Sequence, residues 1–371
     1  MLIDWFWPSY KAGGPVRSLS NLVEMLSGEA QITVLTGKQD IDGTPVAESY
    51  AGYEGAQVHY VSRPQASFIR KWKALNPGGV VYINGIYSLT FSIWPLILCR
   101  FLLPKTPIII APRGMLNSGA LQIKAFKKRL FLKVFKLLGL YKGVIWHATS
   151  EEEKKRILSI FPNAKPPKVI SNVPVKPQKA FGFRPQKGAP LHTLFTVTRV
   201  VPIKKLEILF EGMQQTKLQH KWVWDIYGPV EDLAYCNMLK EKAKKNMQLN
   251  IVFKGACPPY SLSDIASQYR AFCLPSANEN FGHAIFEALA MGKPVLISDQ
   301  TPWTHLENQG IGFDISLETP SLFIEKLNYL GSLDADTLQA YEQRAFAFAT
   351  LYYENNTWKT DYLTLFSSHE K

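Results

Sequence analysis

The 371-residue chain is poor in cysteine. Its four cysteines, Cys99, Cys236, Cys257 and Cys273, show no CxxC pair and no metal-type spacing. Neither a disulfide framework nor a zinc site is expected, and a reducing compartment fits. No fixed-period repeat is visible. A bilayer span needs roughly 20 apolar residues. The most apolar stretch, Ser88–Leu103, is broken by Pro95 and Arg100 and reads as a core helix. The N-terminal run Met1-Leu-Ile-Asp-Trp-Phe-Trp-Pro has no basic segment and carries Asp4, so it reads as a short strand and not as a secretory leader. The most telling absence is of negative charge: no Asp or Glu lies between Glu54 and Glu151, a stretch that holds 14 Lys or Arg.

The net charge of +12 therefore sits in one half of the chain. Residues 1–175 hold 22 basic and 10 acidic side chains, and residues 176–371 hold 20 of each. This asymmetry points to a polyanionic partner. It is densest over Leu121–Lys142. On a helical wheel Ile123, Phe126, Leu130, Val134, Leu137 and Tyr141 share one apolar stripe, which in an ordinary surface helix packs on its own domain. Phe131, Leu132 and Phe135 lie outside it and add apolar surface beyond what one packing face requires. Lys124, Lys127, Lys128, Arg129, Lys133 and Lys136 are the cations expected to face an anionic membrane surface. An ordinary solvated helix mixes signs on its outer face, and this one does not. No nucleic-acid motif accompanies the cations, so nucleic acid is not an expected partner.

With 46% hydrophobic residues the chain has material for two cores. Strand-like runs at Met1–Phe6, Gln31–Leu35, Val58–Val61, Val80–Ile83, Pro107–Ile110 and Gly143–His147 alternate with helical patterns at Ser18–Leu26, Ser88–Leu103, Leu121–Leu138 and Glu151–Ile160. A Pro- and Lys-rich linker follows, and alternation restarts at Leu191. The expected fold class is α/β, two doubly wound Rossmann-like domains facing a central cleft. The expected divisions are a basic, membrane-facing domain over 1–175, a ligand-binding domain over 176–345 and a helical tail over 346–371 packing across the junction.

Three motifs carry chemistry. In Pro275–Ser298 a strand ends at Pro275 and a helix begins near Gly282. Glu279 stands in the loop, and Glu287 stands inside the helix among apolar neighbours. Gly282 lets a ligand approach the backbone, and the N–H groups of Phe281, Gly282 and His283 form an anion site at the helix N-terminus. Carboxylates accept sugar and ribose hydroxyls and the N–H groups suit phosphate, so a nucleotide sugar meets both needs. In Thr198–Phe210, Arg199 and Lys204 share a strand–helix loop suited to clamping a diphosphate. In Lys11–Arg17, Gly13 and Gly14 allow close approach of the chain to a ligand. The DxD at Asp334-Ala-Asp336 precedes a helical segment and reads as an N-cap; no metal ligands are expected.

These motifs, in this order, resemble the retaining GT-B glycosyltransferases of glycosyltransferase family 4. The resemblance covers nearly the whole chain and is strongest over Leu194–Ser298. It implies that Arg199 and Lys204 hold the donor diphosphate and that Glu287 accepts the ribose hydroxyls. Glu279, with Asn280, Phe281, Gly282 and His283, would hold the donor sugar, and no cofactor would be needed beyond that donor. The chain departs from the family pattern at three places. Lys205 stands where many members have Gly, Asn172-Val173 replaces Asn-Gly, and Arg113 takes the place of an active-site His. Arg113 and Asn84 are therefore the acceptor-side candidates.

The expected activity is transfer of a sugar from a nucleotide diphosphate sugar to a hydroxyl of a glycan or lipid-linked glycan acceptor, with retention. The expected location is cytoplasmic, peripheral on the inner membrane face. The rival readings are a nucleotide-sugar epimerase of the same architecture and a non-catalytic membrane assembly subunit.

Overall fold

The computed structural model describes residues 1–367 except 47–51, 77, 117–124, 181, 186 and 259–260. The chain divides into two units, Met1–Val173 with Thr357–Lys371, and Pro174–Asn356. The first division falls within two residues of the expected one. The tail does not form one piece: its first residues continue a helix of the second unit, and it joins the first unit only from Thr357.

The first unit contains strands β1 (Thr33–Thr36), β2 (Gly52–Tyr53), β3 (Ala56–Tyr60), β4 (Val81–Asn84), β5 (Ile108–Ala111), β6 (Ile145–Ala148) and β7 (Lys168–Val169). They run in two ladders, β2-β3-β1 and β4-β5-β6-β7, parallel except at β2–β3. Leu2 joins the ladders by bridging Leu35 on one side and Ile83 on the other. The expected strand Met1–Phe6 is thus present only as this short, doubly paired segment. Every residue of β4 and β5 is buried, as in a parallel sheet covered on both faces. Helices α1 (Gly14–Met25), α2 (Ala66–Leu75), α3 (Trp94–Leu102), α4 (Ala125–Leu137) and α5 (Glu151–Ile160) accompany the sheet. A π-helical turn at Leu89–Ile93 leads into α3, so Pro95 falls in its first turn, where it costs no hydrogen bond. Ser150 caps α5 by accepting from Glu153 N, and three first-turn glutamates favour its dipole.

The packing of α4 reverses the expected wheel. Leu132 and Phe135 are buried, and Phe131 packs on the core. Phe126, Leu130, Val134 and Leu137, placed on the packing stripe by sequence, are exposed. The helix has two apolar faces, and periodicity does not tell which one the core takes. Ile123 and Lys124 lie outside the described residues.

The second unit holds one parallel sheet of six strands: β8 (Thr193–Val197), β9 (Trp222–Tyr227), β10 (Leu249–Gly255), β11 (Ala271–Leu274), β12 (Val295–Ser298) and β13 (Gly312–Ile315). Their order is β10-β9-β8-β11-β12-β13, the doubly wound Rossmann order. Helices α6 (Ile208–Gly212), α7 (Leu233–Lys244), α8 (Ser261–Ala266), α9 (His283–Ala290), α10 (Pro320–Ser332) and α11 (Ala335–Glu354) connect and cover it. Asp334 caps α11 by accepting from Thr337 N at 2.8 Å, the role read for it from sequence. Helix α12 (Trp358–Ser367) belongs to the first unit, where Trp358 Nε1 donates to Ser171 Oγ at 2.6 Å. Among the described residues no helix is long and apolar enough to cross a membrane.

Candidate active site

In a doubly wound sheet the chain winds outward in opposite directions from two central strands, and ligands bind beyond their carboxyl ends. Those strands are β8 and β11. The loops that leave them are Thr198–Glu207 and Pro275–Gly282, which carry Arg199, Lys204 and Glu279. The backbone ties the loops together, Ala277 N donating to Ile203 O at 2.8 Å. The side chains do so again: Lys204 Nζ meets Glu279 Oε1 at 2.7 Å, with each side chain about one-seventh exposed. Ser276 is fully buried, and its carbonyl accepts from Ser298 Oγ.

Arg199 is held differently. Its loop runs beside the one after β9, with Val200 N donating to Pro229 O at 2.9 Å. Its Nη1 lies 3.0–3.1 Å from both oxygens of Glu231. This pair is exposed, whereas Lys204–Glu279 is mostly enclosed. The sequence reading missed Glu231; its signal was a carboxylate in the Gly-Pro-Val-Glu-Asp turn that follows a buried strand.

Helix α9 opens at Gly282, whose φ of +77° is a left-handed conformation and whose carbonyl accepts from the Ile285 and Phe286 N–H groups. A Cβ there would lie 3.0 Å from Ile285 Cδ1 and 3.1 Å from Trp303 Nε1, so glycine is required. Phe281 is buried against Trp303, which donates Nε1–H to the Phe281 carbonyl at 2.6 Å. His283 stacks at an angle on Phe281, and Asn280 is half-buried. Glu287 is 7% exposed, in an otherwise apolar part of α9. Trp303 was missed by sequence reading, since it stands 22 residues beyond its partner. Among the described residues no cluster of three or more His, Cys, Asp or Glu is placed to hold a metal ion.

In the first unit, Gly13 (φ +75°) is the N-cap of α1 and Gly14 its first residue. A Cβ on either would meet nothing within 4 Å. Asn84 ends β4, and Arg113 follows β5, but both are buried. Arg113 donates Nε–H to Asn84 Oδ1 at 2.7 Å, Nη2–H to the Tyr82 hydroxyl at 2.8 Å and Nη1–H to Asn172 Oδ1. Its own turn is fixed by Glu153, which accepts from Gly114 N at 2.5 Å. An acceptor-side role by direct contact meets a physical obstacle: the guanidinium is enclosed, and its hydrogen bonds go to groups of its own unit. The cluster continues through Tyr82 to His147. His147 Nε2 faces the Ile170 carbonyl at 2.8 Å, which only accepts, so the ring proton sits on Nε2 and Nδ1 accepts from Tyr82. Burial, then the Arg113 charge, lowers the His147 pKa to about 3, so the ring is neutral.

Of the cations assigned to a membrane surface, Lys127, Arg129, Lys133 and Lys136 are exposed. Lys128 is half-buried over the Tyr87 ring, 5.2 Å from its centroid.

Residues 182–346 match the family described as glycosyl transferases group 1. The matched segment lies within the second unit. No curated protein sequence matches the chain. The fold of the chain is similar to that of Anabaena Alr3699/HepE in complex with UDP and glucose, with TM-score 0.69, 16% identity and 98% of each chain covered. A glycosyltransferase from Rickettsia africae ESF-5 gives TM-score 0.64 at 14% identity, covering 97% of this chain and 96% of that one. The pneumococcal O-GlcNAc transferase GtfA in complex with UDP and GlcNAc gives 0.51 at 17%, covering 88% and 66%. The architecture is therefore GT-B, with two Rossmann-like units.

Proposed function

We infer that the chain transfers a sugar from a nucleotide diphosphate sugar to a hydroxyl of a lipid-linked glycan, with retention, in polysaccharide or glycoconjugate synthesis. The observation that carries this reading is the Lys204–Glu279 pair joining the two loops at the carboxyl ends of β8 and β11. A diphosphate competes for the ammonium and releases the carboxylate to accept a sugar hydroxyl. One ligand that carries both groups replaces the pair. The match to glycosyl transferases group 1 and the UDP named with two similar structures support the same donor class.

In this reading the departing diphosphate gains charge as the sugar becomes oxocarbenium-like. Arg199, Lys204 and the first-turn amides of α9 stabilise it. Glu287 accepts the ribose hydroxyls, and Asn280 and His283 help to hold the sugar. The leaving phosphate takes the acceptor proton on the same face, so the anomeric configuration is kept. The cations supply the charge that a metal would otherwise bring, and transfer persists in a chelator. The reaction takes place on the inner face of the membrane.

The test is a thermal-shift screen over nucleoside diphosphates, followed by transfer from the matching sugars with the product anomer read by NMR. A chain that binds no nucleoside diphosphate, or a product of inverted configuration, overturns the reading.

A further inference from the structure

The outer face of α4 is apolar where a soluble helix is polar. Phe126, Leu130, Val134 and Leu137 recur at helical spacing on one stripe, and Phe126 and Leu137 are 80% and 87% exposed. Exposed apolar residues scattered singly need no explanation, but a contiguous stripe marks an interaction surface. Successive residues turn by 100°, so Arg129, Lys133 and Lys136 border the stripe on one side and Lys127 on the other. The opposite face, centred on Phe135, fills the core, so the stripe is not spare packing surface. At the far end, Arg100 of α3 donates to the carbonyls of Gly139 and Leu140. That sets the end of α3, with exposed Phe101, beside the end of α4.

We propose that this face is a membrane-insertion surface: the apolar stripe of α4 enters the acyl boundary of an anionic bilayer while the flanking cations reach the headgroups. Charge decides the occupant. A groove on another protein would tolerate cations of either setting, but a stripe edged by cations on both sides matches a plane that is apolar inside and anionic at its surface. The acid-free stretch from Glu54 to Glu151 leaves no carboxylate there to repel it. This rests on the membrane part of the reading above and is independent of the donor assignment. It adds that attachment depends on burial of side chains and not on charge alone.

The experiment is flotation of the full chain with vesicles of phosphatidylcholine, with and without phosphatidylglycerol, at low and high salt. Two double variants are compared, Phe126→Ser with Leu130→Ser, and Lys127→Ser with Lys133→Ser. Leu233→Ser, at an exposed leucine of the second unit, is the control. The apolar pair should weaken binding to anionic vesicles by on the order of tenfold or more at both salts. The lysine pair should weaken it mainly at low salt, because screening acts on charge and not on apolar burial. Leu233→Ser and the melting temperatures should not change. If the apolar pair binds like the parent while the lysine pair does not, the insertion proposal fails and charge-based docking survives. Absence of binding to either vesicle removes the membrane from both readings and leaves the donor site untouched. A parent dimer that the apolar pair turns into monomer assigns the face to a second copy and overturns the proposal.

Discussion

Both units place basic residues on loops beyond the carboxyl ends of parallel strands, and they hold them in different ways. In the second unit Lys204 and Arg199 each face a carboxylate, at 2.7 Å and 3.0–3.1 Å. In the first, Arg113 donates to the neutral oxygens of Asn84, Asn172 and Tyr82, and the buried Glu153 carboxylate adds a favourable charge without pairing with it directly. An ion pair is exchangeable, because an anionic ligand takes over one partner and frees the other. A buried guanidinium with neutral acceptors has no such exchange, and removing it strands acceptors in the interior. The same layout therefore gives exchangeable ion pairs in one unit and a structural tie in the other.

The largest effect that would sharpen this contrast concerns Glu279. Glu279→Ala should abolish sugar transfer yet keep nucleoside diphosphate affinity at or above that of the parent, since Lys204 loses its competitor. Lys204→Ala and Arg199→Ala should each weaken the nucleoside diphosphate roughly ten- to hundredfold, the loss of a charge-assisted bond. Glu287→Ala should weaken it while sparing inorganic diphosphate. Calorimetric titration beside a transfer assay reads all four. If Glu279→Ala loses the nucleotide as severely as Lys204→Ala while both stay folded, the division of roles is wrong.

Arg113→Ala should do the reverse. It should cost about 2–4 kcal/mol of stability, the penalty of leaving buried acceptors unpaired, with nucleoside diphosphate affinity unchanged. Urea unfolding followed in the first unit checks it. A stable Arg113→Ala chain that fails only in acceptor use would return Arg113 to the acceptor side.

What the sequence allowed follows the same division. The second unit was legible because strands such as Thr193–Val197, Ala271–Leu274 and Val295–Ser298 are short apolar runs, and the charged residues of its motifs lie in the loops that follow them. Arg199, Lys204 and Glu279 could be placed at strand ends without knowing any packing. Strand β13 is harder to read, since Gly312–Ile315 is short and broken by Asp314. In the first unit the decisive facts are contacts distant in sequence. Arg113 meets Asn172 across 59 residues, and nothing in Ala-Pro-Arg-Gly tells an enclosed cation from an exposed one. Helix α4 is ambiguous for another reason: it carries two apolar surfaces, and the wheel does not tell which one the core uses.

His147 gives the cluster a pH signature. Unfolded, the imidazole gains its proton below about pH 6.5; folded, it stays neutral down to about pH 3. Between those values the unfolded state binds the extra proton, so stability is lost as pH falls, by about 1.4 kcal/mol per unit. His147→Gln should flatten the slope of stability between pH 6 and 4 relative to the parent. An unchanged slope would show that the ring is not held neutral.

The smallest effect compares two left-handed basic residues, one in each unit. Lys205 has φ +51° and Arg113 has φ +55°, and neither has the freedom of glycine there. Lys205 is exposed, and its ammonium stands 3.7 Å from Glu207, a distance at which a surface pair contributes little. Its left-handed backbone costs about 1–2 kcal/mol for an L-residue. Glycine relieves that cost but adds unfolded-state freedom worth roughly 0.4–1 kcal/mol. Lys205→Gly should therefore stabilise the second unit by about 0.5–1 kcal/mol. Arg113→Gly gains the same backbone relief but loses three hydrogen bonds from a buried site, so it should destabilise. Opposite signs for one substitution, measured by denaturant midpoints, follow only if the two basic residues are held as differently as the structure has them. Stabilisation at both positions would mean that the Arg113 bonds contribute little and that the contrast between the units is one of geometry alone.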